Sequence, residues 1–445
     1  MKSVESQDAR ENIILLTIDS LRADHCGFMG CEHDTTPTLD RLARDGVVFE
    51  NAIAPGPRTP SSMPVAFTGR FGRQEEVPWS DWRERWDRIA DLLRRHRTLA
   101  ERLQFDGYTT IGVTANPWTQ KTGFDLGFDR FLELQGADVI KSGSGNGQTF
   151  RVLDWLFDRT RLGREYQWDQ ARDWFVQWTH YYDRILKAVR KVEQPYFLWV
   201  FALDPHQPYL APRTHRTETS AASMYYANVR ERVAGSLDEL SSRTRTWLKR
   251  SYRDSIRSAD RLVAALEDDL AAGDPTFVVH ADHGEAFGEH GTFGHEEQVY
   301  EENLHVPFVV SGVGSQTVRD PVSLRSLPAL LERLGSGEPL HPEEFTREYV
   351  TATTEGIHTR ARTVRGQRWK YITDGVGGEL YDLNADPGET ENLIEGRPEL
   401  AEQLRHLLEA RHAHDAETGA IVQAVDAVNG AGKRRTRRSD GHAGG

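Results

Sequence analysis

The chain has 445 residues, 38% of them hydrophobic, 9% aromatic and 28% charged, with a formal charge of −13. That length accommodates one large domain plus a smaller one, and the apolar share excludes a disordered or fibrous chain. The acidic balance excludes nucleic acid as the main partner, because phosphates would be repelled by most of the molecule.

The longest apolar stretches, Ile13 to Ile18 and Tyr196 to Leu203, fall far short of the roughly 18 residues a membrane span needs, so no transmembrane segment is expected. The first residues are polar and lead straight into a strand pattern; no signal segment is read there, and the cytoplasm is the expected location. Only Cys26 and Cys31 occur, which excludes a disulfide framework and a four-cysteine zinc site.

In chain order, Ile13–Ile18 is an unbroken apolar run, the pattern of a strand buried on both faces of a parallel sheet, and it ends on Asp19. A helix follows, with Thr36 as cap, Pro37 at its first position, Leu39, Leu42 and Ala43 as its apolar stripe, and Gly46 at its end. Buried-strand runs recur at Thr109 to Ala115, Tyr196 to Leu203, Thr276 to Ala281 and Val306 to Ser311, with helical patterns between them, one over Ile256 to Ala272. The alternation predicts an α/β fold whose mostly parallel central sheet is sandwiched by helices, over about residues 10–335. Residues 148–192 carry Trp155, Trp168, Trp174 and Trp178 at helical spacing and read as an inserted helical pair with core aromatics. Gly143, Gly145 and Gly147 precede it without the strand-then-helix context of a nucleotide loop, and read as a linker. Residues 340–415 read as a small antiparallel sheet, from strand-like pieces at Thr363 to Arg365, Trp369 to Thr373 and Glu379 to Leu383, plus a helix over Glu399 to Ala413. Residues 416–445, with a basic cluster from Lys433 to Arg438, are expected to be a solvated, disordered tail.

Ligands in open α/β sheets bind beyond the carboxyl ends of the strands, so polar residues directly after apolar runs carry weight. Asp19 follows the first run, Asp204 and His206 the third, and Asp282 and His283 the fourth; His290 and His295 come soon after. Each alone fits a cap or turn, but two carboxylates and an imidazole at neighbouring strand ends make a divalent-cation site, for which Mg, Mn, Ca and Zn all remain open. The segment from Gly56 to Arg70 is rich in hydroxyls and runs into a helical stretch. A hydroxyl there, at a helix N-terminus and beside a cation, is a candidate nucleophile; Thr59, Ser61 and Ser62 equally fit plain helix caps.

The stretches NIILLTIDSLRADHCG, TPTLDRLARDGVVFENAIAPG, the loop ending in FTGR, DPHQPY, ADHGEAFGEHGTFGH, YEENLHVPFVVSG, and RWKYI with ELYDLNADPGETENL resemble, in this order, the sulfatase family of the alkaline phosphatase superfamily. The resemblance implies a large alkaline-phosphatase-like α/β domain, a small C-terminal sheet domain, one divalent cation, and cleavage of sulfate or phosphate esters through a covalently bound nucleophile. It places Asp19, Asp282 and His283 as metal ligands, with Ser20 where the family has a second Asp and no match to the family's Lys-x-His at Ala115-Asn116-Pro117. It aligns His206 with a histidine that contacts the transferred group or leaving oxygen, and His295 with a family Lys that does similar work; the expected mechanism has the cation and His295 offset the growing oxygen charge and His206 protonate the leaving group. Counted back from Thr68-Gly69-Arg70, the family nucleophile falls on Thr59, which also completes the metal site. A Thr cannot become formylglycine, so no formylglycine is expected; an unmodified Thr resembles the phosphoglycerol-transferase and phosphodiesterase relatives. Arg58, His290 and Asn116 are the expected substrate-binding residues for an anionic sulfate- or phosphate-ester substrate. Phosphoester hydrolysis or transfer is the leading expectation, with a sulfuric ester hydrolase and a non-catalytic binding protein as alternatives. A rival arrangement gives Asp204, His206 and His295 a second metal ion.

Overall fold

The computed structural model describes residues 10–72, 82–116, 118–134, 177–234, 237–295, 298–354 and 361–439. Its centre is an eight-stranded sheet in the order Gln316–Val318, Val47–Phe49, Phe308–Val310, Thr276–Ala281, Ile13–Ile18, Tyr196–Ala202, Thr109–Thr114, Arg130–Glu133. Ile13–Ile18 lies between Tyr196–Ala202 and Thr276–Ala281 and is parallel to both, and Tyr196–Ala202 is also parallel to Thr109–Thr114. Phe308–Val310 runs antiparallel to Thr276–Ala281, so the fifth apolar run departs from the parallel expectation and is cut in two, with His305–Val306 pairing instead with Ala52–Ile53. Pro307 interrupts the ladder between them, since it has no N–H to give.

The register aligns the strand ends that carry function. Ile18 lies opposite both Ala202 and Ala281, and the next peptide continues the pattern, with Asp19 N donating to Ala202 O at 3.0 Å. Asp19 and Asp282 therefore leave the sheet at one rim, beside the turn that carries Asp204 and His206. Below that rim the three central strands are tied by a buried polar row: Trp199 Nε1 donates to Thr17 Oγ1 at 3.0 Å, and Thr17 Oγ1 lies 3.0 Å from His280 Nε2. Phe67, Phe124 and Phe128 pack on Trp199 with ring centroids 4.6, 6.2 and 5.8 Å away. Phe67 anchors the helix Thr59–Thr68 on the sheet, so that the helix start faces the rim.

The helix Pro37–Asp45 forms as expected, but Thr36 is not its cap acceptor. Asp260 accepts from Thr38 N at 3.0 Å and Leu39 N at 3.0 Å, while the Thr36 hydroxyl is taken up by Gly27 N and Asp40. The helix expected from Ile256 begins at Ser242 and ends at Leu270; Ser241 Oγ caps it by accepting from Thr244 N. Trp178 is buried, stacks on His215 at 5.8 Å and donates to Ser258 O at 2.8 Å, which fits its core assignment. Trp155, Trp168, Trp174 and the glycine run lie outside the described residues.

The C-terminal sheet is antiparallel, in the order Tyr349–Thr353, Arg362–Gly366, Trp369–Thr373, Gly378–Asp382, one strand more than the sequence pattern suggests. The last helix spans Pro398–Ser439, with Ala401, Leu404 and Leu408 packing on the sheet residues Val364, Tyr371 and Leu380.

Candidate active site

Thr59, Asp19, Asp282 and His283 converge at the rim. The Thr59 hydroxyl donates to Asp282 Oδ2 at 2.8 Å and lies 3.3 Å from His283 Nε2. His283 Nε2 is 3.4 Å from Asp282 Oδ2 and 3.7 Å from Asp19 Oδ1. One ligand atom each from Asp19, Asp282 and His283 lie within 4.8 Å of one another, and all three side chains are buried. Ligand oxygens surround a divalent cation at roughly 2.0 to 2.6 Å, so donor atoms this close can share one ion. Burial pushes the Asp19 carboxyl well up, the Asp282 charge adds to it, and His283 and the Ser20 hydroxyl oppose it. Two buried carboxylates beside an imidazole nitrogen, in a site that penalises their joint ionisation, are a donor set that a divalent cation fits.

The surroundings hold this cluster in place. Asn116 Nδ2 donates to Asp19 Oδ2 at 3.0 Å, while its Oδ1 accepts from Trp118 N at 2.9 Å. Asn116, an expected substrate-binding residue, thus bonds directly to a carboxylate of the cluster and restrains it. Ser20, which replaces the second family Asp, donates from Oγ to Asp19 Oδ1 at 3.0 Å and from N to Asp282 Oδ1 at 3.1 Å. It does this from left-handed backbone, φ 61°, uncommon outside Gly, with its carbonyl held by the Tyr252 hydroxyl at 2.7 Å.

The three hydroxyls of the helix start are now distinct. Arg58 is the N-cap residue, and Ser61 Oγ accepts from Arg58 N at 3.2 Å and donates to Arg58 O at 2.9 Å, so Ser61 performs the capping. Ser62 Oγ is buried and has no hydrogen-bond partner among the described residues. Of the three, Thr59 is the one bonded to the carboxylate cluster.

His206 and His295 stand beside this cluster: the His295 ring is 4.8 Å from that of His283 and 5.0 Å from that of His206. Burial holds the His295 imidazole well below its ordinary range, reinforced by the charges of His283, His206 and Arg58. His290 is not brought here. Its ring stacks on Tyr300 at 3.6 Å, and Nε2 lies 3.9 Å from Glu302 in a second group with Glu389. Asp204 is buried beside Ser258, Trp178 and Tyr181, its carboxyl raised to about 6 by burial. Among the described residues, Asp204, His206 and His295 do not form a close ligand group, so nothing in the geometry favours the second metal ion.

Glu285 escaped the sequence reading as a site residue. It is fully buried, its Oε1 is 3.1 Å from His295 Nδ1, and burial raises its carboxyl to about 7 against the opposing charges of His206 and His283. Its place two residues after His283, an expected ligand, was the available signal.

A family model described as Sulfatase matches residues 11–326. Arylsulfatase K of Gallus gallus is 24% identical over 90% of this chain and 82% of its own length, and an arylsulfatase of Clostridium perfringens (strain 13 / Type A) is 23% identical over 90% and 94%. Among solved structures, the phosphonate monoester hydrolase of Agrobacterium radiobacter superposes with a TM-score of 0.65 at 18% identity, covering 91% of this chain and 96% of its own. A second structure, in complex with D-glucosamine-2-N,6-O-disulfate, gives 0.64 at 14% identity, covering 92% and 98%.

Proposed function

The chain belongs to the sulfatase family of ester hydrolases, and we propose that it cleaves phosphate esters through Thr59, used as encoded. The observation that carries this reading is the Thr59 hydroxyl, which sits at a helix start and bonds at 2.8 Å to a carboxylate of the ligand cluster. A divalent cation held by Asp19, Asp282 and His283 would supply Lewis acidity beside that hydroxyl and balance the two carboxylates. Thr59 Oγ1 releases its proton toward Asp282 and attacks phosphorus, with the helix N-terminus and Arg58 favouring the anionic group. His206 and His295 serve the oxygens of the transferred group and the leaving oxygen, and water then releases the product from Thr59.

The names of the curated relatives favour a second reading, hydrolysis of a sulfuric ester. Turnover of nitrophenyl phosphate, bis-nitrophenyl phosphate and nitrophenyl sulfate, measured side by side, separates the two. Phosphate turnover that Thr59→Ala abolishes, with the Thr59 peptide at its encoded mass, supports the proposal. Sulfate-only turnover, or full activity in Thr59→Ala, rejects it, and full activity after chelation would rule out the cation.

A further inference from the structure

Three imidazoles meet at the site, and each has its Nδ1 committed to the scaffold. His283 Nδ1 lies 2.9 Å from the Gly284 carbonyl, His206 Nδ1 bonds to the Gln207 carbonyl, and His295 Nδ1 lies 3.1 Å from Glu285 Oε1. All three therefore keep Nε2 for the site, but their anchors differ in kind. A peptide carbonyl fixes orientation, whereas a buried carboxylate also shares a proton with the ring and compensates its charge.

The anchor at His295 is built by two backbone features. The short strands Ala286–Phe287 and Phe293–Gly294 pair with Ala286 opposite Gly294, which sets Glu285 next to His295 across the ladder. The turn that delivers Glu285 requires Gly284, because a Cβ there would stand 2.1 Å from Glu302 O. Around Glu285 lie Tyr209, whose hydroxyl is near it but outside good hydrogen-bond geometry, and the Glu231 carboxylate, which itself bonds to Gln207.

We infer that Glu285 is a positioning residue that makes His295, rather than His206, the proton donor to the leaving oxygen. The inference rests on the esterase reading above and says which histidine does this work. Nδ1 held against Glu285 Oε1 at 3.1 Å fixes the ring so that Nε2 is left for the site. In the first step the Thr59 Oγ1–phosphorus bond forms, the bond to the leaving oxygen breaks, and that oxygen takes its proton from His295 Nε2. In the second, water attacks phosphorus and gives a proton to Nε2, the bond to Thr59 breaks, and Thr59 Oγ1 takes back the proton it had passed to Asp282.

The test compares Glu285→Gln, His295→Gln and His206→Gln on methyl and 4-nitrophenyl esters of the acid the wild type accepts. Nitrophenolate leaves without a proton and methoxide does not, so loss of the donor falls on the methyl ester. Glu285→Gln keeps an acceptor for Nδ1–H and should lower kcat on the methyl ester about 10- to 100-fold, the usual range for such supporting contacts, with KM within about twofold and little change on the nitrophenyl ester. His295→Gln should show the same selectivity with a larger loss, and His206→Gln should slow both esters alike. A methyl-selective loss in His206→Gln, or an equal loss on both esters in Glu285→Gln, overturns the assignment. Independently of turnover, the ring N–H resonance of His295 should move in Glu285→Gln while the melting temperature stays; an unmoved resonance also overturns it. If the wild type cleaves neither class of ester, the underlying function fails, and the resonance alone judges the pairing.

Discussion

Thr59 makes its contacts through one oxygen, so its substitutions divide cleanly. On the proposed mechanism Thr59→Ala removes the attacking atom and should lower kcat by several orders of magnitude, whereas Thr59→Ser keeps an oxygen there and should keep turnover detectable in the same assay. Ser61→Ala should leave the chemistry in place and cost about 1 kcal/mol of stability, the usual value of a helix cap, read by urea unfolding. Asn116 acts one step further back. Asn116→Ala leaves Asp19 Oδ2 without its amide donor, and metal affinity, measured by calorimetric titration, should fall about 10- to 100-fold with the fold intact.

Helices of this chain are held by groups from distant segments. The helix Pro37–Asp45 takes its N-terminal carboxylate from Asp260, more than 200 residues away, so Asp260→Ala should destabilise the protein by about 1 to 2 kcal/mol in chemical unfolding without altering metal binding. The helix Ser242–Leu270 is tied to the preceding loop by Glu218, which accepts from Arg253 and Arg257. Partial burial would raise the Glu218 carboxyl, but hydrogen bonds and charge from the two arginines outweigh it and hold it at about 2. A carboxyl lowered on folding contributes stability above its unfolded value near 4.5, and that contribution is lost as pH falls toward 2. The stability difference between wild type and Glu218→Gln, followed by unfolding from pH 6 to pH 3, should therefore shrink with falling pH; a constant difference would mean that the charge is irrelevant.

Across the whole molecule, the small sheet is joined to the helix Glu301–Leu304 of the large domain through buried charge. Lys370 Nζ lies 2.9 Å from Glu301 and 2.8 Å from Glu389, and Arg365 lies 3.1 Å from Glu301. Burial would lower the Lys370 ammonium, yet the two carboxylates hold its pKa above the usual value. Lys370→Met leaves Glu389 without its cation and Glu301 with Arg365 in a dry site, and should cost about 3 to 5 kcal/mol, well beyond the effect of an exposed pair. A loss under about 1 kcal/mol in thermal unfolding would show that water reaches this junction.

The sequence by itself determined the central parallel strands, because runs such as Ile13–Ile18 and Thr276–Ala281 are apolar on both faces and fit only a covered sheet. It also marked Asp19, Asp282 and His283, since a polar residue ending such a run must emerge at the sheet rim. Thr59 was legible through its register with the FTGR segment, though not against its capping neighbours. Tertiary structure decided what depends on partners. Phe308–Val310 is as apolar as its parallel neighbours and runs the other way, because strand direction is set by the path of the chain. His290 and His295 occupy similar glycine-rich surroundings in sequence, and the hairpin register sends one to Tyr300 and the other to Glu285. Asn116 and Ser20 acquire their roles only when strands nearly 100 to more than 260 residues apart align, a proximity that no local pattern of side chains encodes.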